Sequence, residues 1–242
     1  MKKRHVPLGL PRRNSRHYRF ALPNAVWEYD LKPVEFVIFS WLCYRSSHGQ
    51  ASALTAEVVA ERVHLSESTV KKYLALMADK GLVTAEWSLT LDNRRINSKK
   101  FFTLPNEIFL LGLPPSAFMA YAYLLLIEDR RTHTCHPSYN TIAAATGMAK
   151  NTVMKSISVL LELRLIAMEH SRYFDKRGMK WKGNNLYTIL PTRAAVDVFH
   201  QRQLEQSALD ARRRRIRKRQ EEYDRQHHRA PLCAADPASD NT

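Results

Sequence analysis

Residues 64–74 read HLSESTVKKYL and residues 147–157 read GMAKNTVMKSI. Set one under the other at an offset of 83 (147 less 64), Thr69 falls on Thr152, Val70 on Val153 and Lys72 on Lys155. Each stretch predicts a tight turn followed by an amphipathic helix. On a 3.6-residue wheel Val70, Leu74 and Met77 share one face, with Tyr73 beside them. Val153, Ile157 and Leu160 share the same face of the second helix. Both faces are expected to bury against the helices before them. The turns are His64-Leu65-Ser66 and Gly147-Met148-Ala149. Gly147 adopts a left-handed conformation without steric cost, whereas His64 does so only with strain, so the first turn is expected to differ. Ser66 is a good N-cap and Ala149 a poor one.

The correspondence extends outward. FALPN at 20–24 aligns with FTLPN at 102–106 at an offset of 82 (102 less 20), with Pro33 on Pro115 and Phe36 on Phe118. GLV at 81–83 then falls on RLI at 164–166. The chain thus reads as two tandem copies, 20–104 and 105–192. In each, a proline suited to a first helical turn opens a long apolar helix, at 34–45 and 116–128. Short helices are predicted at Ala56–Val63 and Tyr139–Thr146, and further helices from near Glu67 and Lys150. Strands 83–91 and 99–104 flank a loop at 92–98, and strands Ile166–Phe174 and 186–190 flank a loop at 175–185. The expected fold is mainly α with small β-wings: two tandem winged helix-turn-helix domains, a basic arm at 1–19, a long basic C-terminal helix at 193–228 and a disordered tail at 229–242. No linker separates the copies, so they are expected to hold a fixed relation.

Composition narrows the function classes. The chain has 242 residues, with 38 Lys+Arg against 23 Asp+Glu, a formal charge of +15. Three cysteines (Cys43, Cys135, Cys233) fit a reducing compartment better than a disulfide scaffold. The longest apolar run, 117–127, falls short of the roughly 20 residues that a membrane span needs. MKKR is followed by HVPLGLPRR with no apolar core, so a signal peptide is not expected. The charge is uneven. Residues 1–19 hold seven Lys/Arg and no acid, and 193–228 hold ten against six, while the middle is nearly balanced. Cationic flanks of this kind grip a polyanion, or keep a protein soluble.

The helix faces opposite the apolar stripes carry Ser68, Thr69, Lys72 and Ala75 in the first copy, with Lys71 adjoining, and Asn151, Thr152, Lys155 and Ser158 in the second. Lysine meets guanine acceptors or phosphate and asparagine meets adenine edges, so such a face suits a major groove, although most solvated helix faces are polar too. The wing tips NRRINSKK (93–100) and RYFDKRGMKWKGN (172–184) are both basic. Arg94, Arg95, Lys99 and Lys100 in the first, and Arg172, Lys176, Arg177, Lys180 and Lys182 in the second, are candidate phosphate contacts. Trp181 reads as a packing residue rather than a base-stacking one. In the terminal helix Val196, Phe199 and Leu204 offer a short apolar stripe. It gives way to RRRRIRKR, whose Arg212, Arg213, Arg214, Arg215, Arg217, Lys218 and Arg219 suit phosphate binding or a solvated helix. No phosphate-binding glycine loop, H-E-x-x-H or G-x-S-x-G occurs, so no enzyme and no cofactor are expected. His133-Thr134-Cys135-His136 has no second ligand pair at zinc spacing, so no metal is expected.

Three segments carry a family resemblance: LPRRNSRHYRFALPN (10–24), PSYNTIAAATGMAKNTV (137–153) and NNLYTILPT (184–192). They resemble a bacterial helix-turn-helix domain family of plasmids and conjugative elements from gut Firmicutes. More distantly they resemble the N-terminal domain of replication initiator protein A from Gram-positive plasmids. The resemblance covers about residues 8–228. It implies a cytoplasmic, sequence-specific binder of double-stranded DNA tied to a mobile element, with recognition roles on Ser68, Thr69, Lys72, Asn151, Thr152 and Lys155. The function it implies first is a replication initiator at origin repeats. The alternatives are a transcriptional regulator of the element and, from another class, a winged-helix protein-interaction module. Replication or transcription machinery are the implied protein partners, a membrane is not, and monomer and homodimer both fit. His64, standing where the second copy has Gly147, departs from the pattern.

Overall fold

A computed structural model describes residues 18–48, 54–84, 87, 89, 101–174 and 180–227, and for 170–174 and 180–184 the backbone alone. The chain divides into two compact units, Met1–Val198 and Phe199–Thr242. In the first, strand β1 (Arg19–Pro23) leads through a 3-10 segment, Asn24–Tyr29, to helices α1 (Pro33–Ser47), α2 (Ala56–Val63) and α3 (Glu67–Asp79). The order then repeats. Strand β2 (Phe101–Pro105) and a 3-10 segment, Asn106–Leu111, precede α4 (Pro115–Ile127), β3 (Thr134–Cys135), α5 (Tyr139–Thr146) and α6 (Lys150–Glu162). Strands β4 (Ile166–Phe174) and β5 (Lys180–Ile189) follow, and then α7 (Thr192–His227).

The two proline-led helices are the centre of the unit. In α1 every residue from Glu35 to Cys43 is buried, and in α4 all from Ala117 to Leu125 except Tyr123. A helix wrapped by protein needs no polar stripe, which is why both are apolar all round. The α1 start is fixed by Pro33 and by the Lys32 backbone N–H, which donates to Glu35 Oε2 at 2.7 Å. Each shorter helix presses one stripe onto that centre. Val70, Leu74 and Met77 of α3, and Val153, Ile157 and Leu160 of α6, are essentially inaccessible, as their spacing predicts.

Both inter-helix turns are left-handed: His64 has φ 54° and Gly147 φ 64°. The first turn therefore does not differ from the second, contrary to expectation. The His64 ring offsets the strain through its Nε2, 2.9 Å from the carbonyl oxygen of Phe109. A second left-handed pair closes the unit repeat. Gly81 and Arg164 end α3 and α6, with Leu82 N–H donating to Met77 O at 2.9 Å and Leu165 N–H to Leu160 O at 3.0 Å.

The strands depart most from expectation. The 99–104 segment was expected to close the first wing, yet the partner of β2 among the described residues is β1, antiparallel. Of the 83–91 strand, a single bridge, Val83 to Leu89, lies among the described residues. Behind α6 the sheet has three strands, ordered β3-β5-β4, rather than a two-stranded hairpin. Thr134–Cys135 forms the extra strand against Thr188 and Tyr187, and β5 starts well before 186.

The pairing of β1 with β2 has a telling register. Ala21 pairs with Thr103, its own counterpart at the offset of 82 (103 less 21). Phe20 with Leu104 and Leu22 with Phe102 then exchange roles. Ring contacts do the same. Phe36 meets its counterpart Phe118 at 6.2 Å. Phe20 stacks on Phe109 at 5.5 Å, and Trp27 on Phe102 at 6.3 Å, which is that contact with the copies exchanged.

Candidate nucleic-acid interface

Helix α3 starts from a tied cap. Ser66 Oγ accepts from the Thr69 backbone N–H at 3.2 Å and lies 2.6 Å from Thr69 Oγ1. The half-buried Thr69 hydroxyl is thus engaged in the cap. Ser68, Lys71 and Lys72 are exposed. Lys71 pairs with Glu67 one turn earlier at 2.7 Å, and Lys72 Nζ stands 6.0 Å from the Tyr73 ring centroid. An exposed i,i+4 pair is worth only about 0.3–0.5 kcal/mol, so Lys71 is easily released to a stronger anion.

Helix α6 starts without a side-chain cap, since Ala149 supplies none. Its first-turn N–H groups take no side-chain cap and Lys150 and Asn151 beside them are exposed, and the positive end of a helix dipole favours phosphate. Asn151, Lys155 and Ser158 are exposed and Thr152 is half-buried. Ser158 Oγ donates back to Met154 O at 3.2 Å. Lys155 has no ion-pair partner among the described residues. Lys150, which the sequence reading passed over, adds an exposed cation at the first residue. The signal was present: at the offset of 83, Lys150 stands where α3 has Glu67. The second helix therefore offers a more cationic start than the first.

The structure brings these residues together as two short polar faces, each over its own buried stripe. It leaves the wings largely aside. Arg94, Arg95, Lys99 and Lys100 lie outside the described residues, as do Lys176 and Arg177, and so do the 1–17 part of the arm and the 229–242 tail. Arg172 and Lys182 face each other in the β4–β5 ladder, and Tyr173 pairs with Trp181. Lys180 opens β5 opposite Phe174.

The terminal helix α7 buries Ala195 near its start, with Val196 and Phe199 half-buried. Leu204, placed by the sequence in the same apolar stripe, is 72% exposed. Arg212, Arg213, Arg214, Arg215, Arg217, Lys218 and Arg219 are exposed on a continuous helix. Arg213 lies 3.9 Å from Asp210 and Arg217 3.4 Å from Glu221, contacts typical of a solvated helix surface.

Two features bear on other chemistry. Among the described residues no group of His, Cys, Asp and Glu is arranged to hold a metal ion, and no helix is long and apolar enough to cross a membrane. Cys43 and Cys135 are buried free thiols, and burial raises the pKa of both. Among curated proteins none matches the chain. Residues 111–166, which run from the end of the second 3-10 segment through α4, α5 and α6 into β4, match a helix-turn-helix domain family, and that match supports DNA as the partner of this segment.

Proposed function

We propose that the chain binds duplex DNA sequence-specifically through two tandem winged helix-turn-helix units, with α3 and α6 as the recognition helices. In this reading it serves a mobile genetic element in the bacterial cytoplasm as its replication initiator. The observation that carries the DNA reading is the recurrence of helix, left-handed turn and helix, with a polar face outward over a buried stripe, in both copies. The helix-turn-helix match over the second copy supports it. The basic wing tips and the cationic helix α7 add phosphate contacts that fix register and raise affinity without reading bases. The initiator role is supported by the resemblance of residues 10–24, 137–153 and 184–192.

Salt tests the first part. With roughly six to ten cations on phosphates, log K falls with log salt at about −0.9 per contact. A flat salt response refutes DNA binding and leaves a protein-interaction module. Lys72→Ala or Lys155→Ala weakens the preferred site by about 1–3 kcal/mol and spares unrelated sequences, whereas joint replacement of Arg94 and Arg95 weakens all sequences alike. Equal loss on every sequence from the helix variants demotes them to phosphate contacts. The role has its own test. A minimal plasmid carrying only this gene and its flanking DNA replicates in a permissive host if the protein is an initiator. Failure there, with DNA binding intact, leaves a transcriptional regulator.

A further inference from the structure

Several contacts between the two copies are isologous: they lie on the axis between the copies or occur twice with the partners exchanged. Ala21–Thr103 and Phe36–Phe118 are self-pairs. Phe20–Phe109 and Trp27–Phe102 are an exchanged couple, with interplanar angles of 26° and 29°. A second couple links the turns themselves. A Cβ on Gly112 would lie 3.7 Å from the His64 ring, and a Cβ on Gly147 would lie 3.8 Å from Asp30 Oδ1. Gly112 is the counterpart of Asp30 and Gly147 of His64. If the operation carrying copy one onto copy two also carries copy two onto copy one, it is a two-fold rotation. Recognition helices α3 and α6 are therefore related by a pseudo-dyad within a single chain, unlike tandem beads on a string, which repeat by translation.

From this geometry, and resting on the DNA-binding reading above, we infer that one chain binds one duplex site composed of two half-sites in inverted orientation, and that the half-sites differ in sequence. Inversion follows from the dyad, as palindromy follows from dimer symmetry in two-subunit helix-turn-helix proteins. The difference follows from the outward residues: Glu67, Ser68 and Ala75 on α3 stand where α6 has Lys150, Asn151 and Ser158, while Lys72 and Lys155 are common to both. The single-chain stoichiometry follows because the surface that would recruit a second subunit is already filled by the other copy.

The test selects duplexes from a random library with the full chain, then measures affinity and stoichiometry on the selected site. Native mass spectrometry gives one chain per site. Reversing one half-site in place, so that the halves become direct repeats, lowers affinity by about a hundredfold or more, since several base contacts are lost together. Inserting about 5 bp, half a helical turn, between the halves does the same. Lys72→Ala relaxes discrimination at a position in one half only, and Lys155→Ala at a position in the other half only; both side chains are exposed, so the fold is retained. Two chains per site, or selected halves in direct orientation, or indifference to reversal overturns the inference while leaving DNA binding standing. Failure to enrich any duplex overturns the DNA-binding reading itself, and this inference with it.

Discussion

At three matched backbone positions the chain turns left-handed in both copies, and at each the copies disagree about glycine: Asp30 against Gly112, His64 against Gly147, Gly81 against Arg164. The shape is kept while the residue is not, so a side chain accepting the strain is held by something else. For His64 that is its bond to the Phe109 carbonyl. Replacing Gly147 or Gly81 by alanine retains the turn and adds the left-handed penalty, lowering stability by about 1–2 kcal/mol in urea unfolding. No loss at either position would contradict the left-handed assignment. A second residue-scale contrast is Glu35, buried in α1, whose carboxylate takes the Lys80 ammonium at 2.8 and 3.0 Å. The second copy has Ala117 and Leu163 there, both buried. Glu35→Ala alone strands a cation that is partly solvated and costs about 2–4 kcal/mol. The double change Glu35→Ala with Lys80→Leu, which copies the second unit, recovers most of that loss. A double variant as unstable as the single one would show that the pair is not replaceable by apolar packing. The turn at His64 was legible in the sequence, but neither its bond to Phe109 nor the Glu35–Lys80 pair was. An acid in an apolar helix and a histidine in a turn carry no sign of partners 45 residues away.

At the scale of elements, what was local was readable. The short helices Ala56–Val63 and Tyr139–Thr146 sit where the periodicity put them, because a cap, a stripe and a turn are written within a dozen residues. What was non-local was not. FALPN and FTLPN were recognised as a repeat, but that they pair with each other is a contact across 82 residues with no mark in either segment. The two-residue strand Thr134–Cys135 is too short to show any alternation. That strand makes the second sheet sensitive to alkali. Burial pushes the Cys135 thiol from 9.0 up to about 12, and burial above all pushes its cross-strand neighbour Tyr187 from 10.0 to about 12. The fold thus keeps protons that the unfolded chain releases. The stability it gains is complete below about pH 9 and is lost as pH rises toward 12. Urea midpoints should hold from pH 7 to 8.5 and then fall, and the fall should be shallower in Cys135→Ala. An equally steep fall in that variant would remove Cys135 from the account.

At the scale of the whole molecule, the first unit is built as a dimer would be, with Phe36, Phe109 and Phe118 meeting where two subunits would touch. A fragment holding only the second copy, cut to begin before Phe101, exposes that apolar surface and should associate with itself, placing Thr103 on a true dyad. Sedimentation showing a well-folded monomer would count against the symmetry. The axis was not visible in the sequence, where a repeat by translation and a repeat by rotation look alike; the self-pairings of Ala21 with Thr103 and of Phe36 with Phe118, and the exchanged ring contacts, separate them. That register has a kinetic and regulatory consequence. A two-subunit binder must assemble before it acts, and at low abundance its occupancy rises with the square of concentration. On the single-chain binding inferred above, the halves are made in one translation event and joined by the same chain, so assembly adds no concentration threshold. Occupancy then climbs with the first power of protein, and each new molecule counts from the moment it folds. An element using such a protein would sense its own gene dosage in proportion, from the first few copies upward.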